Sequence, residues 1–93
     1  MAKTTASLAK ILEAAQQGNS IAQNNLGVVY LTGKGVQKDD AEAAKWFLKA
    51  AQQGLSSAQF NLGWMYHEGK GIEQNNAEAA KWYQKAAEQE NLN

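Results

Sequence analysis

The 93-residue chain has no cysteine, no proline and a single histidine, and neither sign of charge is in excess. Each scarcity excludes something. Without cysteine there is no disulfide framework and no thiolate metal site. With one histidine, a metal would depend on one imidazole and scattered carboxylates of no defined spacing. Nine basic side chains balance nine acidic ones, and no block of like charge supplies the field that a nucleic acid or an anionic membrane needs. Lys10 and Glu13 interrupt the N-terminal stretch before it resembles a signal-peptide core, and no segment approaches the ~20 apolar residues that cross a bilayer. The expectation is one soluble domain with a modest core, the cytoplasm being the favoured compartment. Absence of proline, together with abundant Ala, Gln, Glu and Lys, points to helix throughout.

What is present is a repetition. Residues 22–51 read AQNNLGVVYLTGKGVQKDDAEAAKWFLKAA and residues 58–87 read AQFNLGWMYHEGKGIEQNNAEAAKWYQKAA. Gly27 returns as Gly63, Tyr30 as Tyr66, Gly33 and Gly35 as Gly69 and Gly71, and Trp46 as Trp82, each 36 positions on. A fixed period of this size signals a stacked array of small units, not one globular core.

Within that period the helices can be placed. Leu8, Ile11, Leu12 and Ala15 form one apolar stripe on a helix over about 4–17, which Gly18 ends. Its register matches the segment ending at Gly54, so it is the second half of a unit. Asn19 or Ser20 caps the next helix, to about Leu31, with Ala22, Leu26, Val29 and Tyr30 on its buried face. Gly27 beside that face lets a neighbouring helix come close. Gly33 and Gly35 supply positive φ for the reversal, and Val36 and Ile72 are expected to anchor the two loops. Gly33-Lys34-Gly35 is not a phosphate cradle, because no strand precedes it and no Ser/Thr follows the lysine. Asp39 with Glu42, and Asn75 with Glu78, outline capping boxes. The helix after Asp39 buries Ala43, Trp46, Phe47 and Ala50. The plan repeats over about 56–68 and 76–89, with fraying expected from Glu90.

The pattern Ala-x3-Leu-Gly-x2-Tyr-x2-Gly-x-Gly-Val/Ile, a capping Asp/Asn, then Ala-Ala-x-Trp-Phe/Tyr-x2-Ala-Ala resembles the Sel-one-like repeat, a relative of the tetratricopeptide repeat. The resemblance covers a half repeat at 4–18, full repeats at 19–54 and 55–90, and leaves 91–93 as a tail. It implies an all-α, right-handed α-solenoid of five helices in helix-turn-helix repeats, used as an adaptor between proteins, with no cofactor and no catalytic residue to carry over. The sequence departs at Asn75, in place of the usual Asp, and at Glu90, in place of a glycine. It also lacks the cysteines of some secreted members. Lys10 where the middle unit has Trp46, Gln84 for Leu48, Tyr83 for Phe47 and Glu90 for Gly54 read as caps, which favours a self-contained monomer, natural or engineered, over a piece excised from a longer array. The face with Tyr83 and Ala87 is where a weak homodimer would form.

The resemblance also gives the first helix of each repeat, the A helix, the concave side. That turns Ile21, Asn24, Val28, Leu31 and Thr32 toward a groove, and in the second repeat Ser57, Phe60, Trp64, His67 and Glu68. The partner-binding candidates are Asn24, Val28, Leu31, Phe60, Trp64 and His67, an apolar and aromatic set left over by the packing stripe and suited to a peptide or an extended partner segment. Packing of Val28 and Trp64 between adjacent A helices is the competing structural reading. Asn25 and Asn61 either hydrogen-bond a peptide or bridge the inter-helix loops. Trp46 and Trp82 are assigned to the core, and Lys45/Lys49 and Lys81/Lys85 to a solvated outer face. Two rival functions remain: a structural or engineered scaffold without ligand, and a small hydrolase using His67. The second is disfavoured because adjacent helical residues diverge by ~100°, which turns one of His67 and Glu68 away.

Overall fold

The computed structural model describes residues 2–91, with side-chain surroundings over 7–90. Among these residues there are five helices and no strand: α1 (Ala2–Gln16), α2 (Ser20–Thr32), α3 (Asp40–Gln52), α4 (Ser56–Glu68) and α5 (Asn76–Asn91). Each packs on the helix before and after it, α1 on α2, α2 on α3, α3 on α4 and α4 on α5. The result is a slab of 41 × 29 × 17 Å, an α-solenoid in which α2 and α4 are the A helices. The last helix runs through Glu90 to Asn91, so the fraying expected from Glu90 does not begin there; the remainder of the tail lies outside the described residues.

Local chemistry sets the helix ends. Asn19 Oδ1 accepts from the Ala22 N–H at 3.0 Å and opens α2, and Gly33, at φ 74°, closes it by donating its N–H to the Val29 carbonyl at 2.8 Å. Asp39 and Asn75 cap α3 and α5 by accepting from the N–H groups of Glu42 and Glu78, both at 3.0 Å. The expected reciprocal half of each capping box is missing. The Asp39 N–H donates instead to the Tyr30 carbonyl at 2.9 Å and the Asn75 N–H to the Tyr66 carbonyl at 3.0 Å. Glu42 and Glu78, released from that task, pair with Lys45 and Lys81 at 3.3 and 3.2 Å. The cap residue thus ties the start of α3 to the end of α2 and the start of α5 to the end of α4.

The core is built on α3. Ala43, Ala44, Phe47, Ala50 and Ala51 are buried there against Ala58, Leu62 and Met65 of α4, and Ala15, Ala22 and Leu26 form a second cluster toward α1. Alanine on the facing stripes lets backbones approach closely, so the one large ring, Phe47, fills the centre at 0 % exposure. Trp46 and Trp82 pack on the core as assigned but are half-buried, not buried. Each indole packs against the cluster that joins its own A helix to the helix before it, while the ammonium of Lys49 or Lys85, one turn on, lies over its ring at 5.7 and 5.5 Å. The outer lysines are therefore part of the packing as well as of the solvated face. Leu12 is also corrected from buried to 36 % exposed, since α1 has a neighbouring helix on one side only. Ile72 and Val36 are half-buried as expected of loop anchors, Ile72 against the main core cluster.

A second interaction repeats with the units. Gln23 and Gln59 are buried at 5 % exposure. Gln23 donates to the Ala15 carbonyl at 3.1 Å and accepts from Gln53 at 2.8 Å. One period on, Gln59 donates to the Ala51 carbonyl at 3.2 Å and accepts from Gln89 at 2.9 Å, and Gln89 also donates to the Gly54 carbonyl at 2.6 Å. The Gln23 and Gln59 amides add a second donor to carbonyls at the C-terminal ends of α1 and α3 that the Gly18 and Gly54 N–H groups also reach, at 3.1 and 3.0 Å, and so tie each unit to the last. The loop after α4 contributes as well. A Cβ at Gly71 would overlap the Asp40 carbonyl and the Ala41 nitrogen, so the second loop glycine is demanded by contact with the start of α3 as well as by its φ of 67°.

Candidate partner-binding groove

The face formed by α2 and α4 gathers most of the apolar surface that the fold does not consume. Ile21 is 62 %, Val28 40 % and Phe60 56 % exposed, and all three lie on these two helices. The sequence explains why. They fall off the Ala22-Leu26 and Ala58-Leu62-Met65 stripes that the neighbouring helices cover, and among the described residues no third layer lies over α2 and α4. Across this face the two helices are joined by amides. Asn61 donates to Asn24 Oδ1 at 3.0 Å, and Asn24 in turn donates to Ser57 Oγ at 3.5 Å. Asn61 therefore links neighbouring A helices instead of bridging the inter-helix loops, while Asn25, its counterpart one unit earlier, is exposed.

The six candidate residues divide by environment. Asn24 is half-buried and held in the amide bridge; Val28 is open. Leu31 and Trp64 are half-buried against the central core cluster, with Lys70 Nζ 5.9 Å from the Trp64 ring centre. Trp64 thus divides its surface between packing and groove. Phe60 is open but finds its aromatic partner on α5: its ring centre is 5.2 Å from that of Tyr83 with the planes tilted by 50°. His67 is exposed at the end of α4. Its Nε2 lies 3.9 Å from a Glu68 carboxylate oxygen and both side chains face solvent, so the expectation that one would turn away is wrong: near a helix end two long side chains can fold back on each other. Thr32, also expected to face the groove, spends its hydroxyl on the Val28 carbonyl at 2.8 Å.

Where Phe60 meets α5 there is a hollow of about 220 Å³ lined by Phe60, Tyr83, Ala86, Ala87 and Glu90. Burial raises the Tyr83 hydroxyl above its ordinary value of 10.0, and the Glu68 carboxylate raises it further. Sequence reasoning placed Phe60 on the groove and Tyr83 on the terminal face without joining them. Their contact was legible only as the substitution of Phe60 for Asn24 and Tyr83 for Phe47 in one unit. Among the described residues no group of three or more His, Asp or Glu is placed to hold a metal, and no helix is long and apolar enough to cross a membrane.

Comparison with known proteins agrees with this architecture. The family model described as the Sel1 repeat matches twice, over residues 20–55 and 56–91. No protein of curated function matches the sequence. Among solved structures, the Escherichia coli protein c5321, described as a protective antigen of uropathogenic strains displaying an SLR fold, is 49% identical with a TM-score of 0.83, over 85% of this chain and 17% of its own. A Sel1 repeat protein from Oxalobacter formigenes is 43% identical with a TM-score of 0.78, over 89% of this chain and 40% of its own. The Helicobacter pylori cysteine rich protein B is 28% identical with a TM-score of 0.84, over 87% of this chain and 61% of its own. The chain thus spans from about a sixth to three-fifths of the length of these relatives. Sel1 repeats are a non-catalytic scaffold fold that commonly serves protein interaction. With two repeats matched in register and the helix order of the solved relatives, this chain belongs to the Sel1 repeat family.

Proposed function

We propose that the chain is a protein-interaction module that receives a peptide, or an extended segment of a partner protein, along the A-helix face of α2 and α4. The observation that carries this reading is the exposure of Ile21, Val28 and Phe60 on that face, beside the Asn24–Asn61 amide bridge. The outer side chains of α3 and α5, by contrast, are lysines and glutamates engaged with one another or with indoles. Aromatic and aliphatic anchors flanked by amides suit a segment that inserts side chains and satisfies its backbone at the same time. Val28 and Phe60 act as anchors, Trp64 and Leu31 form the floor, and Asn24 and His67 offer polar contacts. The module acts as a monomer with 19–54 and 55–90 as its working repeats, and no step of catalysis is assigned to His67.

The test is selection of displayed peptides against the purified chain, followed by affinity measurement on variants. Val28→Glu should weaken selected peptides about tenfold or more, the loss expected when a pocket-filling contact becomes a buried charge. Lys45→Ala on the outer face should leave affinity unchanged. A chain that selects no saturable peptide, or one whose peptides ignore Val28→Glu and respond to Lys45→Ala, would overturn the reading. The first result would return the chain to a scaffold without ligand.

A further inference from the structure

The hollow beside α5 has a chemistry of its own. Its floor is aromatic, from the tilted Phe60 and Tyr83 rings, its sides are Ala86 and Ala87, and its acidic lining residue is Glu90. Elsewhere in the molecule the three indoles are already served: Trp46, Trp64 and Trp82 have the ammonium groups of Lys49, Lys70 and Lys85 over their rings at 5.7, 5.9 and 5.5 Å. Among the described residues no cation stands over Phe60 or Tyr83, although Phe60 is the more open ring at 56 % exposure.

The electrostatics point the same way. The last turn of α5 carries Glu88 and Glu90 and no base, so acidic side chains coincide with the negative end of the helix dipole, where a cation is the stabilising neighbour. Glu68 adds a second source of negative potential close enough to oppose ionisation of Tyr83. An aromatic floor, alanine walls and an acidic lining residue are complementary to a flexible alkyl stem ending in a positive head.

We propose that the hollow lined by Phe60, Tyr83, Ala86, Ala87 and Glu90 receives a lysine or arginine side chain of the partner. The stem lies on Ala87 and Phe60, and the charged head sits between the ring faces and Glu90. This deepens the groove reading, on which it rests for the statement that the side chain arrives on a peptide; the hollow itself is tested without one.

The experiment titrates the intact, isotope-labelled chain with N-acetyl-arginine amide, N-acetyl-lysine amide and the neutral, near-isosteric N-acetyl-citrulline amide, followed by nuclear magnetic resonance. Saturable shifts confined to Phe60, Tyr83, Ala87 and Glu90 are expected with both cations, at an affinity about fivefold or more above citrulline, the scale of an exposed cation–π contact. Glu90→Gln, at an exposed position, should weaken the cations about fivefold while leaving the thermal midpoint in place; Phe60→Ala should weaken them as much, with the lower midpoint that losing its contact with Tyr83 entails. Equal binding of arginine and citrulline, or indifference to Glu90→Gln, overturns the proposal. So does a set of shifts driven by protein concentration alone with a dimer in sedimentation, which would make a second copy the occupant. The two readings separate cleanly. Peptides that respond to Val28→Glu alongside an inert hollow sink only this proposal, whereas capped arginine that binds while peptides ignore Val28→Glu sinks only the groove.

Discussion

The Phe47 ring occupies the space that a side chain on Gly27 would need: a Cβ there would stand 2.5 Å from Phe47 Cε1 and 2.6 Å from Cδ1. Glycine in a helix interior costs ~1 kcal/mol relative to alanine, and here that cost is offset by the close packing of α2 on α3. Gly27→Ala is therefore expected to destabilise the fold, by about 1–3 kcal/mol, despite its better helix propensity. Gly63→Ala should destabilise less. Its nearest clash is with Tyr83 at 2.9 Å, and that ring borders the open hollow and can shift. Urea denaturation of the two variants checks the order; a stabilised Gly27→Ala would show that Phe47 gives way without cost.

Phe47 and Trp46 are neighbours with different burdens. Phe47 is fully enclosed at 0 % exposure, whereas Trp46 is half-buried with a lysine over its ring. Truncating Phe47 to alanine is expected to cost about 3–5 kcal/mol, enough to unfold much of a domain this small. Trp46→Ala should cost clearly less, because part of its surface never leaves water. Thermal midpoints of the two variants give the ranking, and a larger loss at Trp46 would place the centre of the core on the indole.

The period made the architecture legible. Five helices, glycines at the reversals, Gly27 as a site of close approach, and Asp39 and Asn75 as caps all follow from matching one unit to the next, because these residues act through local backbone geometry. Burial depth was harder. Trp46 and Phe47 are both apolar and adjacent, and only the crossing of α2 over α3, set by Gly27, decides which ring goes to the centre. The glutamines were visible at their 36-residue spacing but carry no helical-stripe signal, since their amides act between units. The groove was legible as a leftover apolar set, but Phe60 turning to Tyr83 depends on a pair of changes in two different helices.

Those glutamines yield a further prediction. Gln59→Leu keeps the bulk but removes the donor to the Ala51 carbonyl and the acceptor of Gln89. The Ala51 carbonyl keeps the Gly54 N–H at 3.0 Å, so the loss is that of two side-chain hydrogen bonds, about 0.5–1.5 kcal/mol each. The stacking of α4 and α5 on α3 should loosen, with amide hydrogen exchange accelerating in α5 before α2. Uniform acceleration through the whole chain would show that the ladder stabilises each unit internally instead of joining units.

Tyr83 makes stability depend on pH in the alkaline range. Burial, and then the Glu68 carboxylate, hold its hydroxyl above the ordinary value of 10.0, so the folded state keeps a proton that the unfolded chain releases. A group whose folded value is raised contributes stability that is complete below the unfolded value and disappears as pH rises through the folded one. The urea midpoint should therefore fall above about pH 10. Part of that fall belongs to other groups, and Tyr83→Phe isolates the share of the phenol: it preserves the ring against Phe60 and Gly63 while removing the proton. The variant is expected to lose less stability than the parent over the same range, and Glu68→Gln should make the loss smaller by lowering the penalty on the phenolate. Identical alkaline profiles for parent and Tyr83→Phe would mean that the hydroxyl reaches solvent freely, and would open the wall of the hollow on that side.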